Sequence, residues 1–170
     1  MADPILVAPY SDEWPEMFET LKARVENALG AAGRRIEYVG STSVPGLPAK
    51  PIIDIDVVIE GDDQLGEVID RLTGIGYMFE GDKGVTGRYA FGSPPGSPDH
   101  HLYVCAEGSP ELHRHILFRD YLRSHPEEAA AYGELKQQLA RRNPGDRGAY
   151  TCGKSHWIEC ALRLARRETQ

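Results

Sequence analysis

The chain has 170 residues, of which 41% are hydrophobic and 26% are charged, and its formal net charge is −7. This composition is ordinary for a globular protein, and the length suits a single domain with a substantial core. The acidic balance argues against an extended nucleic-acid-binding surface, which usually carries a basic patch. The three cysteines, none in a Cys-x-x-Cys pair, argue against a disulfide framework or a structural zinc site.

The N-terminal residues do not show a basic segment followed by a long apolar run, so no secretory signal is indicated. No apolar stretch reaches the roughly 18 residues that a membrane-spanning helix requires. We therefore expect a cytoplasmic protein that does not act at a membrane.

The first half of the chain alternates helical and extended patterns. A helix is expected after Ser11, which can cap it, because apolar residues then recur at helical spacing up to Gly30. A second amphipathic helix is expected around residues 65–72. Strands are expected at residues 36–39, 52–59, 77–79, 88–91 and 101–105.

The second half of the chain has a helical pattern. Three helices are expected to begin near Ser109, Pro126 and Asp146, each followed by apolar residues at helical spacing. Together the elements predict an α+β fold, with a mixed sheet of four or five strands, flanking helices and a helical C-terminal part. We expect one domain over residues 1–170, with a core at about 34–105 and C-terminal helices at about 109–167.

The stretch at residues 38–59 consists of two apolar runs joined by a loop of glycine, serine, threonine and proline. Side chains alternate between the faces of a strand, so Asp54 and Asp56 share one face of the second run. Two such carboxylates in an apolar strand repel each other and resist desolvation, and a divalent cation would relieve both costs. The pair therefore predicts a magnesium or manganese site, with a solvated sheet face as the plainer alternative.

The loop before the aspartates suits a phosphate group. Gly40 lets the backbone approach a ligand closely, and hydroxyl groups follow at Ser41, Thr42 and Ser43. Lys50 could add a positive charge beside the site. We predict that these residues bind phosphate, although a Gly-Ser pair by itself is also a common turn.

The run Gly40-Ser-Thr-Ser-Val-Pro-Gly-Leu-Pro-Ala-Lys-Pro-Ile-Ile-Asp-Ile-Asp56 resembles the signature of the GrpB-like family. The similarity continues through Phe118–Arg123 and Tyr150–Lys154. This family is similar to the nucleotidyltransferase superfamily, and related domains are fused to some dephospho-CoA kinases. The resemblance implies a nucleotidyltransferase-like core in which Asp54 and Asp56 are catalytic residues that bind magnesium.

Basic residues elsewhere in the chain could complete an anion pocket. Arg119 and Lys154 lie in the segments that match the family, and an arginine fork suits phosphate. Arg88 is a weaker candidate for the same role. Ordinary surface charges are the alternative interpretation of all three residues.

The sequence departs from the nucleotidyltransferase pattern in one respect. Active members usually carry a third carboxylate on a later strand, but neither Arg88–Phe91 nor His100–Val104 contains Asp or Glu. His101 and Tyr103 share the strand face that would meet the site. Of the two, His101 is predicted to take that place as a metal ligand or general base, with a structural histidine as the alternative. His100 should point to the other face, and Asp99, just outside the strand, is the fallback carboxylate.

Four further residues of the predicted C-terminal helices are expected to have packing or surface positions rather than a role in the site. His113 and His115 are two apart in a helix and do not share a face, so we expect surface histidines. Tyr132 is expected to pack against neighbouring helices, and Lys136 is expected to face solvent.

The combined expectation is magnesium-dependent binding of a nucleoside triphosphate, with transfer of a nucleotidyl group to an unknown small acceptor. One alternative is a non-catalytic, nucleotide- or phosphate-binding accessory module that lost turnover with the third carboxylate. Another is a metal-dependent phosphohydrolase that uses the same aspartates and a water molecule.

Overall fold

Five strands and five α-helices make up most of residues 4–169, the part of the chain that the computed structural model describes. The strands are β1 (Arg35–Val39), β2 (Ile53–Ile59), β3 (Met78–Gly81), β4 (Arg88–Gly92) and β5 (His100–Ala106). The helices are α1 (Glu13–Leu29), α2 (Leu65–Gly74), α3 (Pro110–Ser124), α4 (Pro126–Arg142) and α5 (Arg147–Glu168). Residues 1–3 and residue 170 lie outside the described residues. The expectation that the N-terminus carries no secretory signal falls partly on residues 1–3.

The strands form one mixed sheet in the order β1-β2-β5-β4-β3. Strand β2 runs parallel to β5, and the other neighbouring pairs are antiparallel. The parallel register places Asp54 beside His101 and Asp56 beside Tyr103. The predicted α+β fold with a mixed sheet and C-terminal helices is confirmed, and the two aspartates lie on an interior strand.

Helices α1 and α2 cover one face of the sheet. Ile53, Ile55 and Val57 of β2 point to this side and are fully buried against apolar residues of these helices. Trp14 and Phe18 of α1 belong to the same core, as their helical spacing predicted.

The C-terminal helices lie on the opposite face, toward which Asp54, Asp56 and Val58 point. Helix α3 contacts this face directly, because Leu112 packs against Val58 and Cys105. The carboxylates are therefore between the sheet and the helical layer rather than on an open sheet surface.

The loop at residues 40–52, which we call the signature loop, is enclosed by the same helices. Val44 and Leu47 are buried in a cluster with apolar residues of α3, α4 and α5. This packing fixes the loop above the end of β2 where Asp54 lies, so the C-terminal helices and the β1–β2 connection form one side of the site together.

Among the element boundaries that differ from the prediction by one to three residues, two have a visible structural cause. Helix α1 begins at Glu13, and the Ser11 hydroxyl accepts a 3.3 Å hydrogen bond from the Glu13 N–H, while Asp12 occupies the cap position. Strand β3 runs on to Gly81, because its pairing with β4 continues past a register shift after Phe79.

In the described part of the chain all three cysteines are free thiols. None of the helices in residues 4–169 combines the length and apolarity needed to cross a bilayer.

Candidate functional site

Gly40 lets the signature loop pass directly over Asp54. The glycine has a φ of +74°, and a Cβ atom placed on it would lie 2.1 Å from Asp54 Oδ2. A side chain there would be strained by the left-handed backbone and would also collide with the carboxylate. The glycine is therefore required by the close approach of the loop to the aspartate.

The hydroxyl groups that follow Gly40 have different surroundings. Ser43 Oγ donates a 2.6 Å hydrogen bond to the Gly40 carbonyl, and Thr42 Oγ1 donates to the Ile52 carbonyl at 3.3 Å. Both residues are buried, so these hydroxyls stabilise the shape of the loop. Ser41 and Thr42 both line the cavity beside the loop. The Ser41 hydroxyl makes no such hydrogen bond to a loop carbonyl among residues 4–169, so it is the best placed of the three to meet a ligand.

Asp54 and Asp56 lie on the same face of β2, as predicted, and each carboxylate contacts a histidine. His101 Nδ1 lies 2.8 Å from Asp54 Oδ1, and His115 Nδ1 lies 2.7 Å from Asp56 Oδ2. Asp54 is partly exposed, whereas Asp56 is 0% exposed. The second oxygen of that buried group, Oδ1, has no hydrogen-bond partner among residues 4–169.

Burial and histidine contacts shift the protonation of this group of side chains. Burial raises the pKa of Asp56, and the hydrogen bond from His115 offsets this in part. Desolvation opposes protonation of His115, but its contact with Asp56 raises the pKa of the imidazole above its usual value. The hydrogen bond with Asp54 likewise raises the pKa of His101. Asp56 and His115 therefore each keep a proton to a higher pH than the free side chains do.

The prediction of a surface position for His115 is wrong. Helix α3 crosses the face of β2 that carries the aspartates, and this brings the His115 ring onto Asp56. Leu112, three residues earlier, shares its side of the helix and is buried. That spacing is the sequence signal for an inward-facing His115, but the partner carboxylate depends on how α3 crosses the sheet.

A cavity of about 170 Å³ opens between the signature loop, the end of β2 and the C-terminal helices. In the described part of the chain, three lysines line it and form what we call the lysine cluster: Lys50, Lys136 and Lys154. Asp54 of β2 and His101 of β5 line the same cavity. The cavity therefore combines a concentration of positive charge with a carboxylate, within an acidic protein.

The expectation that Lys136 faces solvent is wrong. The residue is 2% exposed, and its Nζ atom lacks a hydrogen-bond partner within residues 4–169. The buried residues of α4 are Ala129, Tyr132, Gly133 and Lys136. The last three follow Ala129 by three, four and seven positions, which is the spacing of one helix face. This helical periodicity was present in the sequence and places Lys136 on the inward face.

Close helix packing brings Lys136 under the signature loop. A Cβ atom on Gly133, one turn earlier in α4, would lie 2.9 Å from Pro48 Cδ of the loop. In α5, a Cβ atom on Gly153 would lie 2.5 Å from Leu139 Cδ2. The two glycines let the loop, α4 and α5 approach closely, and Lys136 and Lys154 then reach one cavity.

The lysine cluster is electrostatically unfavourable without a ligand. Desolvation, reinforced by the charge of Lys154, lowers the pKa of Lys136 to about 7. Desolvation and the charge of Lys50 lower the pKa of Lys154 to about 8. The ammonium groups of Lys50 and Lys154 lie 4.7 and 4.4 Å from the centre of the Tyr150 ring. The aromatic face supplies a weak attraction, but the cluster has the charge of an anion-binding site.

The structure places two predicted anion-binding arginines away from this cavity. Arg119 donates to Glu37 Oε2 at 2.7 Å and to the Tyr38 carbonyl at 3.0 Å. The Arg88 guanidinium lies 4.3 Å from the centre of the Tyr103 ring. Neither belongs to the described lining of the cavity. Arg119 instead holds the end of β1, just before the signature loop.

The two carboxylates alone do not make a complete metal centre. Within residues 4–169, no three His, Cys, Asp or Glu side chains are grouped so that they could hold a metal ion by themselves. Asp54 and Asp56 could hold a hard cation if phosphate or water supplied the remaining ligands. The unpartnered, buried Oδ1 atom of Asp56 fits this requirement, because such an oxygen is costly without a cation or donor.

The five-stranded sheet, with its carboxylates on an interior strand beside a glycine-serine loop, has a nucleotidyltransferase-like fold. The Cid1 poly(U) polymerase bound to MgGTP has this fold, with a TM-score of 0.59 over 79% of this chain and 45% of that chain. The sequence identity of 14% makes this a similarity of fold alone.

The chain belongs to the GrpB family, since the family model described as GrpB protein matches residues 4–163. The crystal structure of the conserved protein GrpB from Enterococcus faecalis is similar, with 33% identity and a TM-score of 0.87. That match covers 96% of this chain and 99% of the Enterococcus chain. The UPF0157 protein YqkA from Bacillus subtilis is 36% identical over 158 residues, which is 93% of this chain but 46% of the length of that relative.

Proposed function

We propose that this protein binds a nucleoside triphosphate with a divalent cation in the cavity and transfers a nucleotidyl group to a small acceptor. The supporting observation is that the lysine cluster and Asp54 line one cavity, and that Asp56 lies two residues further along the same face of β2. This arrangement offers positive groups to phosphate oxygens and carboxylates to a cation. The nucleotidyltransferase-like fold is compatible with the reaction class but does not identify a substrate.

In this proposal, the phosphate chain is held by Lys50, Lys136 and Lys154, together with the hydroxyl of Ser41. These groups converge from the signature loop, α4 and α5, so a bound phosphate would fix the loop against the helices. Positioning of this kind lowers the barrier of phosphoryl chemistry, because the reacting groups are held before the reaction begins.

The carboxylates have separate tasks in the same proposal. Asp54 and Asp56 would hold Mg²⁺ or Mn²⁺, and the cation would neutralise charge on the phosphate oxygens. His115 fixes the orientation of the buried Asp56 carboxylate. His101 orients Asp54 through Nδ1, which leaves Nε2 to accept a proton from an attacking hydroxyl in place of a third carboxylate.

A second candidate is a phosphate- or nucleotide-binding module without turnover. The observation that favours it is the pairing of both carboxylates with histidines, together with the lack of a carboxylate on β4 or in β5. The lysine cluster does not depend on these groups and would bind the phosphate chain in either case.

Calorimetry with Mg·ATP and Mg·GTP tests the site. We expect the double variant Asp54→Asn/Asp56→Asn to lose magnesium-dependent nucleotide binding, because the neutral amides are poor ligands for a hard cation. The variant should still unfold cooperatively, which thermal denaturation would show. Unchanged affinity for metal and nucleotide in the variant would remove the assignment.

Product analysis separates the candidate reactions. With ATP labelled in the α-phosphate, a transferase should release pyrophosphate and label an acceptor from a panel of small molecules. Release of inorganic phosphate without acceptor labelling would identify a phosphohydrolase. Tight binding without any product would identify the accessory module.

A further inference from the structure

The starting observation is a buried amine that the protein itself does not neutralise. Lys136 is 2% exposed, and Nζ has no hydrogen-bond acceptor among the described residues, although it lines the cavity. Its closest favourable contact is the ring of Tyr132 on the same helix, whose centre lies 4.8 Å away. A charged ammonium buried with so little compensation is strongly unfavourable.

The groups that face Lys136 make the protonated state harder to maintain. Lys154 from α5 and Lys50 from the signature loop add positive charge from two other elements. Asp54 of β2 attracts the amine, but that carboxylate already forms a hydrogen bond with His101 of β5. Tyr132 and Tyr150 are the titratable aromatic groups beside the lysine cluster, and burial raises the pKa of both phenols.

An anion in the cavity would reverse this balance. A phosphate group brings negative charge and hydrogen-bond acceptors to a place where Nζ has neither, so it would stabilise the ammonium form. Because burial lowers the pKa of Lys136 to about 7, part of the amine is neutral at physiological pH before an anion binds. Binding would then complete its protonation.

We propose that Lys136 takes up a proton when a phosphate group binds in the cavity, so that phosphate binding and protonation of this buried amine are coupled. The proposal deepens the proposed function and rests on it only for the class of ligand, a phosphate ester or polyphosphate. Lys136 then acts as a specificity-determining residue, because a neutral ligand cannot compensate the buried ammonium.

The coupling has a defined pH dependence. Below about pH 7 the amine is protonated in both states, and its contribution to affinity does not change with pH. Above that pH the free protein has lost the proton that the complex retains, so affinity falls by up to about tenfold per pH unit. The fall ends at the higher pKa of the complex.

Titration calorimetry with inorganic tripolyphosphate, without divalent cations, measures the coupling. Repeating the titration at pH 8 in buffers of different ionisation enthalpy gives the number of protons taken up. We expect the wild type to take up more protons than Lys136→Met, which keeps a similar volume but has no amine. The variant should also bind at least about tenfold more weakly at pH 7.

Two matched variants define the specificity of the effect. Lys154→Met removes a second member of the lysine cluster and should weaken binding while a Lys136-dependent proton uptake remains. Lys22→Met removes a lysine on α1, outside the cavity, and should change neither binding nor proton uptake. Subtracting the proton uptake of Lys136→Met from that of the wild type also removes the contribution of protons that the polyphosphate itself gains or loses on binding.

An independent readout is ¹⁵N NMR of the Lys136 side chain, assigned through bonds in the wild type. Its pKa should rise when tripolyphosphate is added. Equal proton uptake by the wild type and Lys136→Met, an unchanged Lys136 pKa, or no binding of tripolyphosphate would overturn the inference. Proton-coupled binding of tripolyphosphate without any Mg·ATP binding would instead refute the proposed function and leave this inference intact.

Discussion

Lys136 shows how a single residue can favour ligand binding at the expense of stability. Its folded-state pKa of about 7 lies well below the ordinary value of 10.5, because the amine is desolvated and faces Lys154. The unfolded chain therefore binds a proton more tightly than the folded protein does. At and below neutral pH, the buried amine reduces the free energy of unfolding.

We expect Lys136→Met to stabilise the protein without ligand by about 2–4 kcal/mol at pH 7, or roughly 5–10 °C in Tm. The gain should be largest at and below pH 7. It should shrink toward pH 10, since wild-type stability rises with pH between the folded and unfolded pKa values. Thermal denaturation across this pH range checks the prediction, with Lys22→Met as the control. A variant less stable than the wild type at pH 7 would contradict it.

Alanine substitutions at Gly40 and Gly46 separate two effects, the strain of a positive-φ backbone and the collision of a new side chain with Asp54. Both are in the signature loop with positive φ, +74° and +78°. A Cβ atom on Gly40 would collide with Asp54, whereas one on Gly46 would have nothing within 4 Å. Each alanine variant should lose about 1–3 kcal/mol through the positive-φ backbone alone.

We expect Gly40→Ala to weaken Mg·ATP binding by at least about tenfold, because the new methyl group would displace the Asp54 carboxylate. Gly46→Ala should keep nearly full affinity although it too should lose Tm, by less than Gly40→Ala because it makes no collision. Calorimetry and thermal denaturation on both variants make the test. Equal affinities of the two variants would show that the position of Asp54 does not matter for binding.

At the scale of elements, α3 holds the signature loop in place. Arg119 binds the Tyr38 carbonyl at the end of β1, and Arg123 Nε donates to the Ser43 carbonyl at 2.9 Å. Phe118, Tyr121 and Leu122 of the same helix pack into the cluster that contains the loop. Phe118–Arg123 is the segment of α3 that resembles the GrpB-like family. It therefore acts on the site through the loop backbone, rather than by contact with a ligand in the cavity.

Helix α4 contacts the loop through Gly133, which predicts an unusual effect of a helix-favouring substitution. Alanine normally stabilises a helix relative to glycine by about 1 kcal/mol. Gly133→Ala should instead destabilise the protein, because its Cβ atom would press on Pro48. It should also weaken phosphate binding, since Lys136 lies on the next turn of the displaced helix.

The matched control is Gly66→Ala in α2, where a Cβ atom would have nothing within 4 Å. This variant should be neutral or slightly stabilising and should bind tripolyphosphate as the wild type does. Thermal denaturation and calorimetry give both comparisons. If Gly133→Ala behaved like Gly66→Ala, the close contact between α4 and the signature loop would not be important for the site.

At the scale of the whole molecule, a net charge of −7 coexists with a local cluster of lysines. A polynucleotide meets the field of a large surface, whereas a nucleotide meets mainly the cavity. We expect a 20-nucleotide RNA to bind no more tightly than ATP at about 0.15 M salt. Fluorescence anisotropy in a salt series would show this. Tighter RNA binding with a steep salt dependence would indicate a basic surface that the charge balance does not predict.

Much of the fold and part of the site could be predicted from local patterns. The period-two pattern of β2 placed Asp54 and Asp56 on one face, and the helical spacing of Trp14 and Phe18 placed them in the core. The hydrogen bond of His101 to Asp54 agrees with the register of two neighbouring strands. Each of these inferences needs only the geometry of one or two elements.

The sequence by itself determined the α+β class and the shared face of the two aspartates, because both follow from backbone periodicity over short distances. Only the tertiary structure decided that His115 meets Asp56, that Lys136 joins Lys50 and Lys154, and that Arg119 holds the β1 end. These contacts join residues 18 to 104 positions apart in the chain. They depend on how α3, α4 and α5 pack across the sheet and the signature loop, which no local pattern specifies.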